Sequence, residues 1–409
     1  MRQLFTNIKS LLQVEEGTNY KQRVLGHEMH ELPKLDNAWL IVDNGRIEAF
    51  GTMDNLPNAM QADEIIDATG RMVMPTWADS HTHLVFAATR EQEFVDKIKG
   101  LSYEEISARG GGILNSARKM NDISEDELFD ISLSRLEEAI SLGTGAIEIK
   151  SGYGLSTTNE LKMLRVIRRL KETNLIPVKA TFLAAHAFPM EFRSNHAGYI
   201  DLIINEMLPL VAGEGLADYM DAFCEQGFFS VEETDKLLEA GWKYGLKPKI
   251  HANQLYRSGG VQVGVKHNAI SVDHLESMGE EEIEALENST TIATLLPGAA
   301  YFLAMHYQPA RLLIDANLPV ALASDFNPGT CPCLNMNLIL NIACTQLKMT
   351  PNEAIIAQTI NGAAAMEMQN ELGSIAKGKK ANLLLTKPVP SVEYLPYALG
   401  SNWIERVFI

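Results

Sequence analysis

Eight short β-rich runs alternate with helical segments between residues 70 and 330, and this alternation restricts the fold more than any other feature of the sequence. Such alternation is typical of parallel βα units, and eight units close a barrel. The sequence therefore predicts an α/β protein built on a TIM-like (β/α)8 barrel. The runs are RMVMPTWADSH (71–81), GAIEIKSG (145–152), PVKATFLAAH (177–186), YMDAFCE (219–225), LKPKIHAN (246–253), AISVDHLE (269–276), TIATLLPG (291–298) and PVALASD (319–325).

Start and stop signals of helices fit this alternation. The pattern S/T-x-x-E predicts a capping box, in which the first side chain and the acid each accept a backbone N–H at the helix start. A glycine after the last turn predicts the helix end. The predicted starts are Ser124 to Glu127, Thr157 to Glu160, Ser230 to Glu233 and Thr350 to Glu353, and the predicted stops are Gly143 and Gly245.

The two chain ends lack this alternation and indicate β-structure instead. AWLIVDNGRIEAFG (38–51) contains Asn44-Gly45, a strong hairpin signal, and both IAKGKKANLLLTKP and the final WIERVFI have strand character. We expect residues 1–70 and 373–409 to form one composite β-sandwich domain. The barrel domain is then expected over residues 71–372.

Charge and composition exclude several classes of partner. The formal net charge is −17, and no clustered basic run offsets it, so neither nucleic acid nor an anionic membrane surface is an expected partner. The N-terminal residues lack the apolar core of a secretory signal, and no window is long and apolar enough for a membrane span. With only four cysteines, which suit a reducing compartment, the sequence predicts a cytoplasmic protein.

Polar side chains follow several of the predicted strands. In a βα barrel the carboxyl ends of the strands meet at one mouth, and residues i and i+2 of a strand point to the same side. His81 and His83 can therefore reach one ion, with His251 and Asp325 supplying a third nitrogen and a carboxylate. Lys150 is interpreted as an ion-paired or solvated amine, with a modified, metal-bridging lysine as the alternative.

Several motifs in order carry a family resemblance. DSHTH after Pro75, SVDHLE and ASDFNPGT resemble the metal-dependent amidohydrolase superfamily. Within it, THLVFAATREQEF, GGGILNS, EIKSGYGL, TFLAAHAFP and SDFNPGT together resemble the imidazolonepropionase family, whose members open the imidazolone ring in histidine breakdown. The resemblance covers most of the chain, from about residue 44 to about residue 385.

The resemblance implies a metal site and a substrate site. It implies one zinc or iron ion per chain, held by His81, His83, His251 and Asp325. It implies that His274 polarises the ring carbonyl. The residues implied to hold the substrate, chiefly by its propionate carboxylate, are Arg90, Tyr103, Tyr153 and His186, and those implied to contact the ring are Asn327, Gly329 and Thr330.

One position departs from the family pattern. An acid that helps to activate water often follows the strand-five histidine, but HANQL offers Asn253 and Gln254. Gln254 cannot accept a proton, although it can hydrogen-bond the ring or the water, so the base role is assigned to Asp325 with His274.

The resemblance implies metal-dependent hydrolysis of the cyclic amide of 4-imidazolone-5-propanoate to N-formimidoyl-L-glutamate, by a chain that can form a homodimer. The alternatives are another ring deaminase of the superfamily and an inactive barrel that serves as a binding protein.

Overall fold

The computed structural model describes residues 1–17, 19–57, 61–101 and 111–409. Its strands are β1 (Arg2–Leu12), β2 (Lys34–Asp43), β3 (Arg46–Thr52), β4 (Glu64–Asp67), β5 (Met72–Pro75), β6 (Trp77–Thr82), β7 (Thr144–Lys150), β8 (Val178–Ala185), β9 (Tyr219–Cys224), β10 (Lys247–Pro248), β11 (Ile250–Ala252), β12 (Ser271–His274), β13 (Ile292–Leu295), β14 (Val320–Leu322), β15 (Leu383–Thr386) and β16 (Ile404–Phe408).

The described α-helices are α1 (Glu91–Ile98), α2 (Ile113–Asp122), α3 (Glu125–Ser141), α4 (Thr157–Glu172), α5 (His196–Leu202), α6 (Leu208–Gly213), α7 (Val231–Lys243), α8 (Gly260–Lys266), α9 (Glu280–Glu287), α10 (Pro297–Leu303), α11 (Ala310–Asp315), α12 (Met336–Thr345), α13 (Pro351–Gln358), α14 (Ile360–Ala364) and α15 (Tyr394–Tyr397). Across the described ranges, no helix has both the length and the apolar character that a membrane crossing requires.

The predicted barrel is confirmed. Strands β6, β7, β8, β9, β11, β12, β13 and β14 lie side by side in sequence order, and neighbouring strands are parallel. The ring closes just beyond the ends of β14 and β6, where the backbone N–H of Asp325 donates to the carbonyl of His81 at 3.0 Å and that of His83 donates to the carbonyl of Phe326 at 2.8 Å. These two bonds bring the first and last barrel strands together beside the predicted metal ligands.

Both chain termini build a separate β-domain, as expected. Its strands form one seven-stranded sheet in the order β16-β15-β5-β1-β2-β3, with β4 paired to β1. The Asn44-Gly45 hairpin joins β2 to β3, and both turn residues have positive φ, +48° and +74°. Because β5 pairs with β1 and β15, residues 72–75 belong to this sheet, although the predicted barrel range begins at residue 71. The domain boundaries themselves stay a prediction.

Three of the four predicted capping boxes form, at Ser124, Ser230 and Thr350. The Thr157 box is wrong, because Ser156 caps α4 instead and Glu160 turns back to accept the backbone N–H groups of Gly154 and Leu155 at 2.7 and 2.9 Å. The buried Glu160 also accepts the N–H of Gly152 at 3.2 Å, so it satisfies three loop amides, whereas a capping box would offer it one backbone N–H. The predicted stops follow α3 and α7 as left-handed glycines, with φ of +101° and +79°.

Candidate active site

Four side chains from three well-separated stretches of sequence meet at the carboxyl end of the barrel strands. The Nε2 atom of His83 lies 3.3 Å from Nε2 of His251. Asp325 Oδ1 lies 3.6 Å from Nε2 of His81 and 3.7 Å from Nε2 of His83. All four residues are at most 2% exposed. Atoms this close around a common point can share one cation.

The backbone explains why these atoms converge. His81 and His83 are two positions apart at the end of β6, so their rings project to the same side. Asp325 follows β14 in a left-handed conformation, φ +53°, which is costly for a non-glycine residue. Its backbone N–H is bonded to His81, so the turn directs its carboxylate toward the two rings.

The donor set fits a metal ion. Nε2 of His81 is buried and has no hydrogen-bond partner in the described part of the chain, which is unfavourable unless a ligand binds it. Burial lowers the pKa of both His81 and His83 well below the usual range, so their rings are neutral, as metal ligation requires. Imidazole and carboxylate ligands suit zinc and iron alike.

Two buried carboxylates orient the imidazoles. His81 Nδ1 donates to Asp273 Oδ2 at 2.7 Å, and His251 Nδ1 donates to Asp221 Oδ2 at 2.9 Å. Each bond fixes the tautomer that leaves Nε2 free to bind a cation. Sequence reasoning missed Asp221, which lies inside β9 rather than at its end. An aspartate within the apolar run YMDAFCE was the available signal, because a buried acid requires a partner.

A second buried layer lies beneath these carboxylates. Lys150 Nζ contacts Glu148 Oε1 at 2.6 Å and Asp221 Oδ2 at 2.9 Å. Lys249 also pairs with Glu148, through the other carboxylate oxygen, Oε2. Lys150 is therefore ion-paired, in agreement with the first interpretation of this residue.

His274 lies against the same site. A nitrogen of its ring belongs to a group with His81 and Asp325 in which the ligand atoms lie within 4.8 Å of one another. Its Nδ1 is 3.5 Å from Glu276 Oε1, and its φ is +87°. Burial alone would lower the pKa of His274, but the carboxylates of Glu276, Asp325 and Asp273 outweigh it and raise that pKa.

The carboxylate of Asp325 is held in a site that favours its protonated form. Burial raises its pKa to about 7, against the opposing influence of His274. A carboxyl group with such a pKa can exchange a proton near neutral pH.

Gln254 lies just after β11 and is 8% exposed. The adjacent backbone is fixed by Glu225, which accepts the N–H of Leu255 at 2.8 Å. Asn253, at φ +55°, donates from Nδ2 to the carbonyl of Ser277 at 3.0 Å. Glu225 therefore shapes the loop that presents Gln254, whereas Asp273 and Asp221 are the acids that contact the histidines.

Tyr153 and His186 form a wall beside His83. The His186 ring stacks on His83 with centroids 5.0 Å apart, and Tyr153 lies 5.6 Å from His83. His186 Nδ1 donates to the carbonyl of Gly152 at 3.1 Å, so its Nε2 is an acceptor. Burial lowers the pKa of His186 to about 3 and raises that of Tyr153 above the usual tyrosine range, so both side chains are neutral.

Arg90 precedes α1 and reaches the loop after β14. Its Nε and Nη2 donate to Glu93 Oε2 at 2.9 and 2.6 Å, and its side chain is 8% exposed. The guanidinium packs so closely on Gly329 that a Cβ there would lie 2.2 Å from Nη1. Lys97, which sequence reasoning missed, donates to the carbonyl of the same glycine at 3.3 Å. Two cations thus border this loop.

Asn327 organises its own loop. Its Oδ1 accepts the backbone N–H groups of Gly329 and Thr330 at 2.8 and 2.7 Å, and its Nδ2 donates to the carbonyl of Asp325 at 2.7 Å. These bonds tie the loop to the Asp325 turn. Tyr103, the remaining predicted substrate contact, lies outside the described residues.

Comparisons with known proteins agree with this site. The amidohydrolase family model matches residues 72–409. An imidazolonepropionase of Flavobacterium johnsoniae is 58% identical over 99% of this chain and 98% of its own length, and one of Christiangramia forsetii is 56% identical over 100% and 99%. This chain belongs to the imidazolonepropionase family of amidohydrolases.

Solved structures of two deaminases share the fold of this imidazolonepropionase family member. Guanine deaminase of E. coli matches with a TM-score of 0.73 and 14% identity, over 100% of this chain and 97% of that one. An adenosine deaminase from Xanthomonas campestris with bound zinc matches with a TM-score of 0.70 and 14% identity, over 100% and 91%. At this identity the match extends to the architecture alone.

Proposed function

We propose that this protein hydrolyses the ring amide of 4-imidazolone-5-propanoate to N-formimidoyl-L-glutamate. The observation that carries the proposal is the convergence of His81, His83, His251 and Asp325, in a chain that is 58% identical to an imidazolonepropionase. In the reaction a water oxygen bonds to the ring carbonyl carbon, the ring C–N bond breaks, and the departing nitrogen gains a proton.

We assign the metal ligands to Nε2 of the three histidines and one carboxylate oxygen of Asp325. A zinc or iron ion bound there supplies Lewis-acid activation of water and of the ring carbonyl. The two orienting acids, Asp273 and Asp221, keep His81 and His251 in the ligating tautomer.

We assign the proton transfers to Asp325 and His274. Asp325 takes the proton from the attacking water and later delivers it to the ring nitrogen. His274 donates to the carbonyl oxygen as negative charge develops there. Gln254 has no basic atom and acts as a hydrogen-bonding group for the ring or the water.

We assign recognition of the propionate to Arg90 and Lys97, the two cationic side chains beside Gly329. Arg90 Nη1 forms no hydrogen bond with the described residues, so it is available to a carboxylate, and Lys97 adds a second positive charge nearby. Tyr153 can donate its hydroxyl hydrogen to the same carboxylate. Neutral His186 offers an acceptor at Nε2 and is suited to a substrate N–H. We propose that the loop of Asn327, Gly329 and Thr330 contacts the imidazolone ring. Tyr103 is proposed as a further substrate contact.

We propose that the protein acts in the cytoplasm on this small substrate, as a homodimer, and that its negative net charge keeps it from nucleic acid. Light scattering on the purified protein measures its mass in solution and so tests whether it is a dimer.

The decisive assay follows the absorbance of imidazolone propionate with purified protein. We expect loss of absorbance that a chelator abolishes and that zinc or iron restores. Ammonia release from purine or pyrimidine bases without imidazolone turnover would instead favour a ring deaminase. Metal-loaded protein that acts on neither class would support a binding role.

A further inference from the structure

Lys150 is a fully buried lysine directly beneath the candidate metal site. Its side chain has no exposed surface, and its Nζ faces three carboxylates: Glu148 Oε1 at 2.6 Å, Asp221 Oδ2 at 2.9 Å and Asp273 Oδ2 at 3.7 Å. An ammonium group has three N–H donors. Glu148 and Asp221 lie within hydrogen-bond distance of Lys150, and Asp273 is an ion-pair partner at longer range.

Two of these carboxylates are the ones that orient the metal ligands, and the same oxygen atoms are involved. Asp221 Oδ2 accepts from His251 Nδ1 at 2.9 Å, and Asp273 Oδ2 accepts from His81 Nδ1 at 2.7 Å. We propose that Lys150 is a positioning residue that fixes the orientation and tautomer of His81 and His251 together, before any cation binds. The proposal rests on the proposed function only in taking these rings as metal ligands.

The other oxygen of each aspartate accepts from a neutral donor: Asp221 Oδ1 from the backbone N–H of His251 at 3.1 Å, and Asp273 Oδ1 from the Ser271 hydroxyl at 2.5 Å. The oxygens that bind the imidazoles, Oδ2 of both, are the ones that face Lys150. Lys150 holds Asp221 Oδ2 through a short charge-assisted contact and attracts Asp273 Oδ2 as an ion pair at longer range, so both oxygens stay directed at the Nδ1–H of their histidines. Burial disfavours the ammonium, but the carboxylates of Asp221, Glu148 and Asp273 outweigh it and raise the pKa of Lys150, so the lysine stays charged. Both Nε2 lone pairs are then directed toward one point.

The chain supplies a matched control in Lys249. This lysine also has no exposed side-chain surface and also pairs with Glu148. Its remaining bonds are to the carbonyls of Ser80 and Ala365, at 3.0 and 3.2 Å, and it makes no ion pair with Asp221 or Asp273 within the described ranges. Loss of Lys249 therefore removes a buried cation of the same cluster without releasing either orienting acid.

The experiment compares Lys150→Met with Lys249→Met. Metal affinity is measured by competition with a chromogenic chelator for zinc, without substrate, and folding by thermal unfolding. We expect Lys150→Met to weaken zinc binding about 10- to 100-fold, the effect typical of losing partners that orient metal ligands. Lys249→Met is expected to lower the Tm comparably and to change zinc affinity less than about threefold.

The sign of the change separates orientation from charge. Removing a positive charge near a cation would by itself strengthen cation binding, so weaker binding identifies lost orientation. Unchanged or tighter binding by Lys150→Met would overturn the proposal, and so would equal weakening by both variants. Because no turnover is measured, this result is independent of whether the protein hydrolyses imidazolone propionate.

If Lys150→Met does not fold, a second measurement tests the proposal. In metal-free wild-type protein, nitrogen NMR of labelled histidines should show His81 and His251 protonated at Nδ1. In Lys150→Gln, which keeps a polar side chain, we expect mixed tautomers at these two rings and an unchanged His186. A predominant Nε2–H form in the wild type, or wild-type tautomers in Lys150→Gln, would contradict the proposal.

Discussion

Asp273 Oδ2 lies 2.7 Å from Nδ1 of His81, although 192 positions of sequence separate the two residues. The contact joins the end of β12 to the end of β6 across the barrel interior. It fixes which nitrogen of His81 faces the metal site, and Asp221 does the same for His251. The barrel therefore positions not only the ligand atoms but also the acids that set their protonation.

Loss of the first histidine pair should abolish metal binding. The double variant His81→Ala, His83→Ala removes two of four ligands, so we expect metal content to fall from about one ion per chain to below about a tenth. Elemental analysis of dialysed protein measures it. His306→Ala is the control, because His306 is exposed and belongs to neither group of possible metal ligands in the described part of the chain. A double variant that retains both metal and turnover would remove the ligand assignment.

Arg90 should act on substrate binding rather than on chemistry. For Arg90→Ala we expect KM for imidazolone propionate to rise about 10- to 100-fold, since a hydrogen bond to a charged group contributes about 1.5–3 kcal/mol. Steady-state kinetics measures this, with Arg406→Ala, an exposed residue of the β-domain, as the control. Kinetics equal to those of the wild type would show that Arg90 pairs with Glu93 but does not bind the substrate.

Gln254 should contribute less than a general base does. For Gln254→Ala we expect kcat to fall by no more than about tenfold, the effect of a lost neutral hydrogen bond. Removal of a true proton acceptor typically costs about 10²- to 10⁴-fold. A pre-steady-state measurement of the hydrolytic step distinguishes the two, and a loss in the larger range would contradict the assignment of the base role to Asp325.

Asp79 should make stability depend on pH. Burial raises its pKa to about 6, above the unfolded value of 3.8, while its carboxylate accepts from the backbone N–H and hydroxyl of Ser324. Protonation therefore favours the native state: the stabilising contribution is complete below pH 3.8 and is lost as pH rises through about 6. It amounts to at most about 3 kcal/mol.

The variant Asp79→Asn should lack this dependence, because its amide can bond Ser324 without ionising. Urea unfolding at pH 5 and pH 8 provides the comparison. We expect the variant to lose less stability than the wild type over this interval. Parallel losses in both proteins would show that Asp79 does not titrate there.

The fold was predictable because its signals are local. Each barrel strand is a short β-rich run, and the resemblance and strand-end position together select His81, His83, His251 and Asp325, which the structure brings together. The hairpin turn at Asn44-Gly45 likewise follows from the backbone preferences of these two residues and needs no distant contact. These features depend on neighbouring residues and on a period of two or of about 3.6.

The remainder depends on contacts that no local pattern encodes. Asp221 lies within its strand, so a search of strand ends misses it, and Lys150 obtains its role from acids on two other strands. Thr157 carries the capping pattern, yet the loop amides compete successfully for Glu160. Tertiary partners override a local preference where they offer a buried charge better hydrogen bonds.

Location of the metal tests the central claim most directly. In crystals of zinc-loaded protein, we predict a single strong anomalous peak about 2.0–2.2 Å from Nε2 of His81, His83 and His251 and from one oxygen of Asp325. Zinc bound elsewhere, or bound without Asp325 and at least two of these histidines, would contradict the account.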